Sequence, residues 1–194
     1  MNFTKRQLEI IEAATQLIGE KGIQNLTTKN LAAEIGFSEP ALYRHFKGKT
    51  DILKSVLVFY KETLSQGLQK IFSSDITGLD KIKKMIEFQF DHFIKKPAVI
   101  MVIFAETSFQ YDSLLSKQVS EVMAQKRKMV GKIIASGQAE GSIRNDISAD
   151  QLTTTVMGSM RFTILSWRLS NFEFDLLNEG KILWNTIETL IKKN

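Results

Sequence analysis

Residues 27–46 read "TTKNLAAEIGFSEPALYRHF", and two short helices lie in them. Leu31 and Ile35 stand four apart, the spacing of one helix face, with Thr27 placed to cap the start and Gly36 to stop the chain. Ser38 is placed to cap the next helix, and Pro40 falls in its first turn, where a missing N–H costs nothing. On a helical wheel Leu42 and Phe46 share the inward face, while Arg44 points about 200° away from Leu42. Pro40 and Ala41 lie beside Arg44 on that outer ridge, and Tyr43 and His45 occupy the flanks. Two short helices joined by a tight glycine turn, with small Ala32 permitting close packing, make a helix-turn-helix.

Such a helix has a physical use in the DNA major groove, where its outer ridge meets base edges and its flanks meet phosphates. Arg44 is then suited to a bidentate contact with guanine, and Ala41 to close approach or a thymine methyl. Tyr43 and His45 carry donors for phosphate oxygens. Lys47 and Lys49 follow directly, beside the N–H groups that open the next helix, a natural place for an anion. The wheel alone fits a merely solvated face equally well. The preceding helix and its turn favour the groove.

Working outward, residues 5–21 predict a helix with Ile10, Ala13, Ala14, Leu17 and Ile18 on one stripe and Gly22 after it. Thr50 and Asp51 start a long fourth helix running to about Phe72. Further helices are expected over 79–95, 98–108, 113–140, 149–169 and 177–193, separated at Ser73–Gly78, at Pro97, at "YDS" (111–113) and at "EGSIRNDIS" (140–148). No strand-like alternation and no internal repeat interrupts them. The expected fold is all-α with about nine helices. The length contrast divides it into a small unit, residues 1–48, and a larger helical bundle, residues 49–194, with the fourth helix as the connection.

Composition narrows the function classes. Of 194 residues 43% are apolar and 24% charged, the balance of a folded chain, and the net charge is +5. That basicity is spread thinly, but Arg44, Lys47, Lys49 and Lys54 cluster against the single anion Asp51. Cysteine is absent, which removes disulfides, thiolate metal sites and thiol nucleophiles. The two histidines, His45 and His92, are too few and too far apart for a metal cluster, and no HExxH, phosphate-binding glycine loop or GxSxG is present. No catalytic residue, metal or cofactor is expected. The longest apolar run, "AVIMVIFA" at 98–105, has eight residues, far short of the ~20 that span a bilayer. Met1–Gln7 leads straight into an amphipathic pattern, so a cytoplasmic protein without membrane association is expected.

Residues 10–53 resemble the DNA-binding domain of the TetR family of transcriptional regulators. The resemblance rests on the Ala13-Ala14 pair, Gly22, Thr28, the Ile35-Gly36-Phe37-Ser38 turn, Leu42-Tyr43, His45-Phe46 and Lys49 ahead of the fourth helix. It implies that Thr28, Tyr43, His45 and Lys49 contact phosphates and that Lys29, Ala41 and Arg44 face bases, with Ser38 at the same interface. Glu39 departs from that pattern: it sets a carboxylate in the first turn of the reading helix, able to accept from a cytosine amine or to repel phosphate.

Beyond residue 54 the likeness is confined to "EGSIRNDISADQL", 140–152, similar to a connector ahead of the last two helices of TetR-like proteins. It implies a homodimer paired through those helices and a palindromic operator in double-stranded DNA. Leu152, Val156, Met160, Thr163 and Trp167, with small Gly158 and Ser159, form one candidate stripe, and Leu183, Ile187 and Leu190 another. The same stripes would equally build the protomer's own core. The resemblance also implies a pocket for a small, largely apolar ligand, for which Phe88, His92, Met101, Phe104, Met123, Met157 and Phe162 are candidate lining residues. Methionine and phenylalanine at helical spacing are more often plain core. The implied function is a ligand-released repressor, and the fourth helix, by its length and its position between the two units, is expected to transmit the release. The alternative is a DNA-bound interaction protein whose large domain takes a protein partner and no inducer.

Overall fold

The computed structural model describes residues 3–104 and 113–193. Among these, nine α-helices are present, with a single isolated bridge, Ile143 to Lys192, as the only strand-like pairing. They are α1 (Lys5–Lys21), α2 (Thr28–Glu34), α3 (Glu39–Tyr43), α4 (Lys49–Phe72), α5 (Gly78–Lys95), α6 (Pro97–Ile103), α7 (Ser113–Glu140), α8 (Ala149–Leu169) and α9 (Leu176–Ile191). A 3-10 turn, Ile23–Asn25, joins α1 to α2. The all-α expectation and the helix order hold. The expected end of α6 near 108 and the "YDS" break lie outside the described residues.

The helices gather into two compact units, Met1–Thr63 with Lys96–Glu121, and Leu64–Lys95 with Val122–Asn194. In the first unit, α1 begins with a capping box: the Thr4 hydroxyl accepts from the Gln7 N–H, and the Gln7 side chain accepts from the Thr4 N–H. Its apolar stripe buries Ile10, Ile11, Ala14, Leu17 and Ile18, close to the sequence expectation, and α6 packs on that helix. Leu31, Leu42, Phe46, Ile52 and Val56 complete the core beneath the helix-turn-helix.

In the second unit α5 packs against α9, where Gly180 lies so close to Phe90 that an added Cβ would come within 2.6 Å of the ring. Only a residue without a side chain fits that crossing. Glu140, at the end of α7, accepts hydrogen bonds from the Gly78 N–H and from the Ser142 hydroxyl, which hold its carboxyl below the usual range. These bonds fasten the start of α5 to the connector 140–148. Within that connector Arg144 grips both oxygens of Asp146 at 2.7 and 2.6 Å. Leu152, Val156, Met160 and Trp167 are buried inside this unit, as is Ile187. Of the two stripes read from the sequence, these members build the protomer's own core, whereas Thr163 and Leu183 are half-buried and Leu190 is 47% exposed.

Candidate nucleic-acid interface

The turn between α2 and α3 follows from three local choices. The Thr27 hydroxyl accepts from the Asn30 N–H at 3.0 Å and caps α2. Gly36 takes φ +67°, a left-handed conformation that glycine adopts without strain, and the Phe37 N–H then reaches back to the Ala32 carbonyl at 2.8 Å. Ser38 occupies the cap position of α3 but its hydroxyl makes no capping bond, a correction to the expected role. A capping hydroxyl needs the N–H of the second or third helical residue. The second is Pro40, which has none, and the third, Ala41, donates to the Ser38 carbonyl at 3.0 Å. The serine hydroxyl stays available for an outside acceptor.

Regular helix ends at Tyr43, short of the Phe46 placed on the helical wheel, but the chain continues in a tight right-handed turn through Arg44. The His45 N–H and the Phe46 N–H both bond the Leu42 carbonyl, at 2.9 and 3.1 Å. Leu42 and Phe46 are anchored in the core at 1% and 4% exposure, while Tyr43 stands 53% exposed although it is a large aromatic. Arg44, Lys29, Lys47 and Lys49 are exposed, and Thr28, Ala41 and His45 are half-buried. His45 is held from behind, where the Gln7 side-chain amide donates to its carbonyl at 3.3 Å. The face carrying the candidate DNA residues is thus apolar behind and polar in front.

Two contacts were not legible in the sequence. The Thr28 hydroxyl donates to the Glu39 carboxylate at 3.0 Å, linking the first turns of α2 and α3. The Lys49 ammonium donates to the Ile23 carbonyl at 3.3 Å. Thr28 can donate to a phosphate only by giving up Glu39, so the carboxylate competes with DNA for that hydroxyl. Glu39→Ala is expected to raise affinity for any duplex by about fivefold per subunit, since it removes a like charge near phosphate. A fluorescence anisotropy titration checks it; weaker binding with lost discrimination at one base pair would instead make Glu39 a cytosine reader. Lys49→Met is expected to weaken all sequences alike and to lower the slope of log affinity against log salt by about 1 per subunit. A salt series on two unrelated duplexes measures that slope.

The candidate ligand residues divide between the units. Met101 on α6 and Phe104 just past its end lie in the first; Phe88, His92, Met123, Met157 and Phe162 lie in the second. Phe162 faces outward at 71% exposure. His92 stacks in a tilted arrangement on Phe88, ring centroids 6.2 Å apart, and meets Phe93 edge-on. Near them the second unit holds a cation. Lys126 on α7 is half-buried as a residue, its ammonium being the buried end, and it donates to the Gln89 side-chain oxygen at 2.6 Å. Burial first, and the Arg161 charge second, bring its pKa down to about 8. In the sequence the signal for this group is a polar residue on an apolar stripe, not one of the apolar residues expected to line a pocket.

Comparison with known proteins agrees with this geometry. The model described as "Bacterial regulatory proteins, tetR family" matches residues 10–56, and "Tetracyclin repressor-like, C-terminal domain" matches residues 79–172. The chain belongs to the TetR family, whose members are DNA-binding regulators and not enzymes. The chain is 24% identical over 190 residues to the nucleoid occlusion factor SlmA of Vibrio campbellii, covering 97% of each chain. It is 22% identical over 175 residues to the fatty acid metabolism regulator protein of Bacillus subtilis, covering 89% of this chain and 88% of that one. The crystal structure of the transcriptional regulator FadR from Bacillus subtilis in complex with stearoyl-CoA superposes with TM-score 0.80 at 20% identity, over 94% of this chain and 97% of that one. No described helix is long and apolar enough to cross a membrane.

Proposed function

We propose that this TetR-family regulator is a cytoplasmic, homodimeric repressor that holds a palindromic operator through residues 1–48 and is released by a small, largely apolar ligand bound in residues 49–194. The observation that carries the DNA reading is the outward face of α3 and the turn after it: Tyr43 and Arg44 are exposed while Leu42 and Phe46 are buried. Arg44 reads a base, Ala41 allows close approach, and Lys29 reaches a neighbouring base. Thr28, Ser38, Tyr43, His45 and Lys49 take phosphates.

The last two helices supply the dimer surface, on α8 through a different face from the buried stripe. On α8, Phe162 and Leu169 are 71% and 69% exposed, in line with Thr155, Ser159 and Ser166, and open space surrounds Gly158. On α9, Ile182 and Leu190 are exposed too. Large apolar side chains left in water on two adjacent helices are what a self-complementary contact would cover.

A ligand with an apolar body is supported by the likeness to FadR, whose structure holds stearoyl-CoA. The ligand releases DNA to the extent that it binds the released state better than the operator-bound one. Titrating stearoyl-CoA into the operator complex tests this: falling operator affinity is expected, and unchanged affinity would contradict it for that ligand class. A second reading, a DNA-bound protein that takes a protein partner, draws on the end-to-end likeness to a protein named for nucleoid occlusion. A saturating ligand that leaves operator binding untouched would favour it.

A further inference from the structure

The start of α1 touches the chain at both ends of α3. The Arg6 guanidinium lies over the Phe37 ring, 4.5 Å from its centroid, and Phe37 directly precedes Ser38, the cap residue of α3. The Gln7 side chain closes the capping box with Thr4 and donates to the His45 carbonyl at 3.3 Å, just past the last turn of α3. Ahead of the helix, Phe3 meets Phe59 of α4 edge-on, ring centroids 6.3 Å apart. The first turn of α1 is therefore fixed alongside the reading helix.

Its charge is unexpected for a helix start. Lys5 and Arg6 stand in the first turn and no acid does, although the helix dipole favours negative charge there. An ion pair with Glu9 would by itself account for an arginine at this place, and exposed pairs of that kind contribute little. Two observations go beyond it. Glu9 takes one of the five guanidinium donors, and the Arg6 side chain is still 53% exposed. The aromatic seat, moreover, lies on the turn that carries Ser38, whose hydroxyl makes no capping bond. Consecutive Cα atoms are about 3.8 Å apart, so a phosphate held at Ser38 comes within an arginine's reach of that seat.

We propose that Arg6 is a further DNA contact, taking a phosphate of the strand that passes the Ser38 end of α3, with Phe37 and Gln7 as the positioning residues that hold it there. A guanidinium matches a phosphate with paired, charge-assisted hydrogen bonds, and stacking on a ring fixes a long side chain that would otherwise be free. The contact is to the backbone and carries no sequence information of its own. The inference rests on reading α3 as the DNA-reading helix and adds α1 to the surface that meets the duplex.

A salt series by fluorescence anisotropy, on the full chain and two duplexes of unrelated sequence, tests it. Arg6→Met is expected to weaken both duplexes alike and to lower the slope of log affinity against log salt by about 1 per subunit. For a dimer the affinity lost between about 50 and 200 mM salt then becomes about tenfold smaller. Lys128→Met, which removes an exposed cation from α7 in the second unit, should leave the slope nearly unchanged. Phe37→Leu should weaken binding when Arg6 is present and add nothing to Arg6→Met, a dependence that general loss of stability would not produce. An unchanged slope in a folded Arg6→Met variant, with Lys49→Met lowering it, would overturn the contact and leave DNA reading through α3 standing. An equal drop in Lys128→Met would overturn it too, by tracing the effect to net charge. Weakening confined to one duplex would make Arg6 a base contact and overturn the phosphate assignment. No salt-dependent binding of either duplex by the unaltered protein would overturn the DNA reading and this contact together.

Discussion

Replacing Arg44 with alanine is expected to lower affinity for the true operator by about 1–3 kcal/mol per half-site and to relax base preference at one position of each half-site. The reason is geometric. Leu42 and Phe46 pin one side of α3 and its following turn to the core. That leaves Arg44 on the opposite side with its guanidinium in solvent, free to make a planar two-bond contact with a guanine edge. Loss of an exposed arginine would not disturb the fold, so the thermal midpoint should stay within about 1 °C. Comparing operator, single-substitution operators and random duplex by anisotropy gives the answer. If every duplex weakened equally, Arg44 would be a phosphate contact and the base-reading assignment would be wrong.

Phe162→Glu is expected to produce the other large effect, dissociating the dimer while sparing the protomer. The ring is 71% exposed in the single chain, so its replacement removes little from the protomer core. In a two-fold contact each substitution counts twice. Burying one phenylalanine contributes about 1.5–3 kcal/mol, so two lost copies raise the dimer dissociation constant by about 10²- to 10⁴-fold. The two new carboxylates add repulsion. Sedimentation velocity should show a monomer with unchanged helicity, and operator affinity should collapse because one half-site alone offers half the contacts. A variant that remained dimeric would place the interface on another face. Met160→Glu, by contrast, should unfold the second unit, because Met160 is 2% exposed inside it.

The contrast between those two residues shows how far sequence could reach. The period of apolar residues revealed that α8 has a hydrophobic stripe, and Leu152, Val156, Met160 and Trp167 do lie together. Periodicity gives no sign of what a stripe packs against, and these pack within their own unit. Phe162 and Leu169 sit on a face otherwise made of Thr155, Ser159 and Ser166, too polar to stand out as an interface by hydropathy. The helix-turn-helix was far more legible because its signals are local: a capping threonine, a left-handed glycine and two inward anchors leave Arg44 one place to go. Ser38 shows the limit even there. Its capping role failed because Pro40 has no N–H to give and Ala41 spends its own on the backbone. The Thr28–Glu39 bond joins residues eleven apart through the turn, and only three-dimensional closure brings them together.

Lys126 was readable in principle, since a lysine in register with Met123 and Val130 breaks an apolar pattern. Its pKa of about 8, set mainly by burial, also carries a stability consequence. The folded value lies below the unfolded one, so the unfolded chain holds the proton more tightly, and the destabilisation is fully present below about pH 8. It is relieved as pH climbs from there toward the ordinary lysine value. Lys126→Met should therefore melt higher than the unaltered protein at pH 7, by about 2–4 °C for each kcal/mol recovered, and that gain should shrink by pH 10. Differential scanning calorimetry at the two pH values checks the sign. A gain that grew with pH would mean the lysine is not buried as a cation.

Selecting bound duplexes from a random DNA pool at near-physiological salt decides whether this is a dimeric regulator that reads sequence through α3. A palindrome is expected whose half-sites lie about 34–36 Å apart, one helical turn, or a multiple of that spacing. Enrichment of an unpaired half-site, or none at all with Tyr43→Ala behaving as the unaltered protein does, would contradict it.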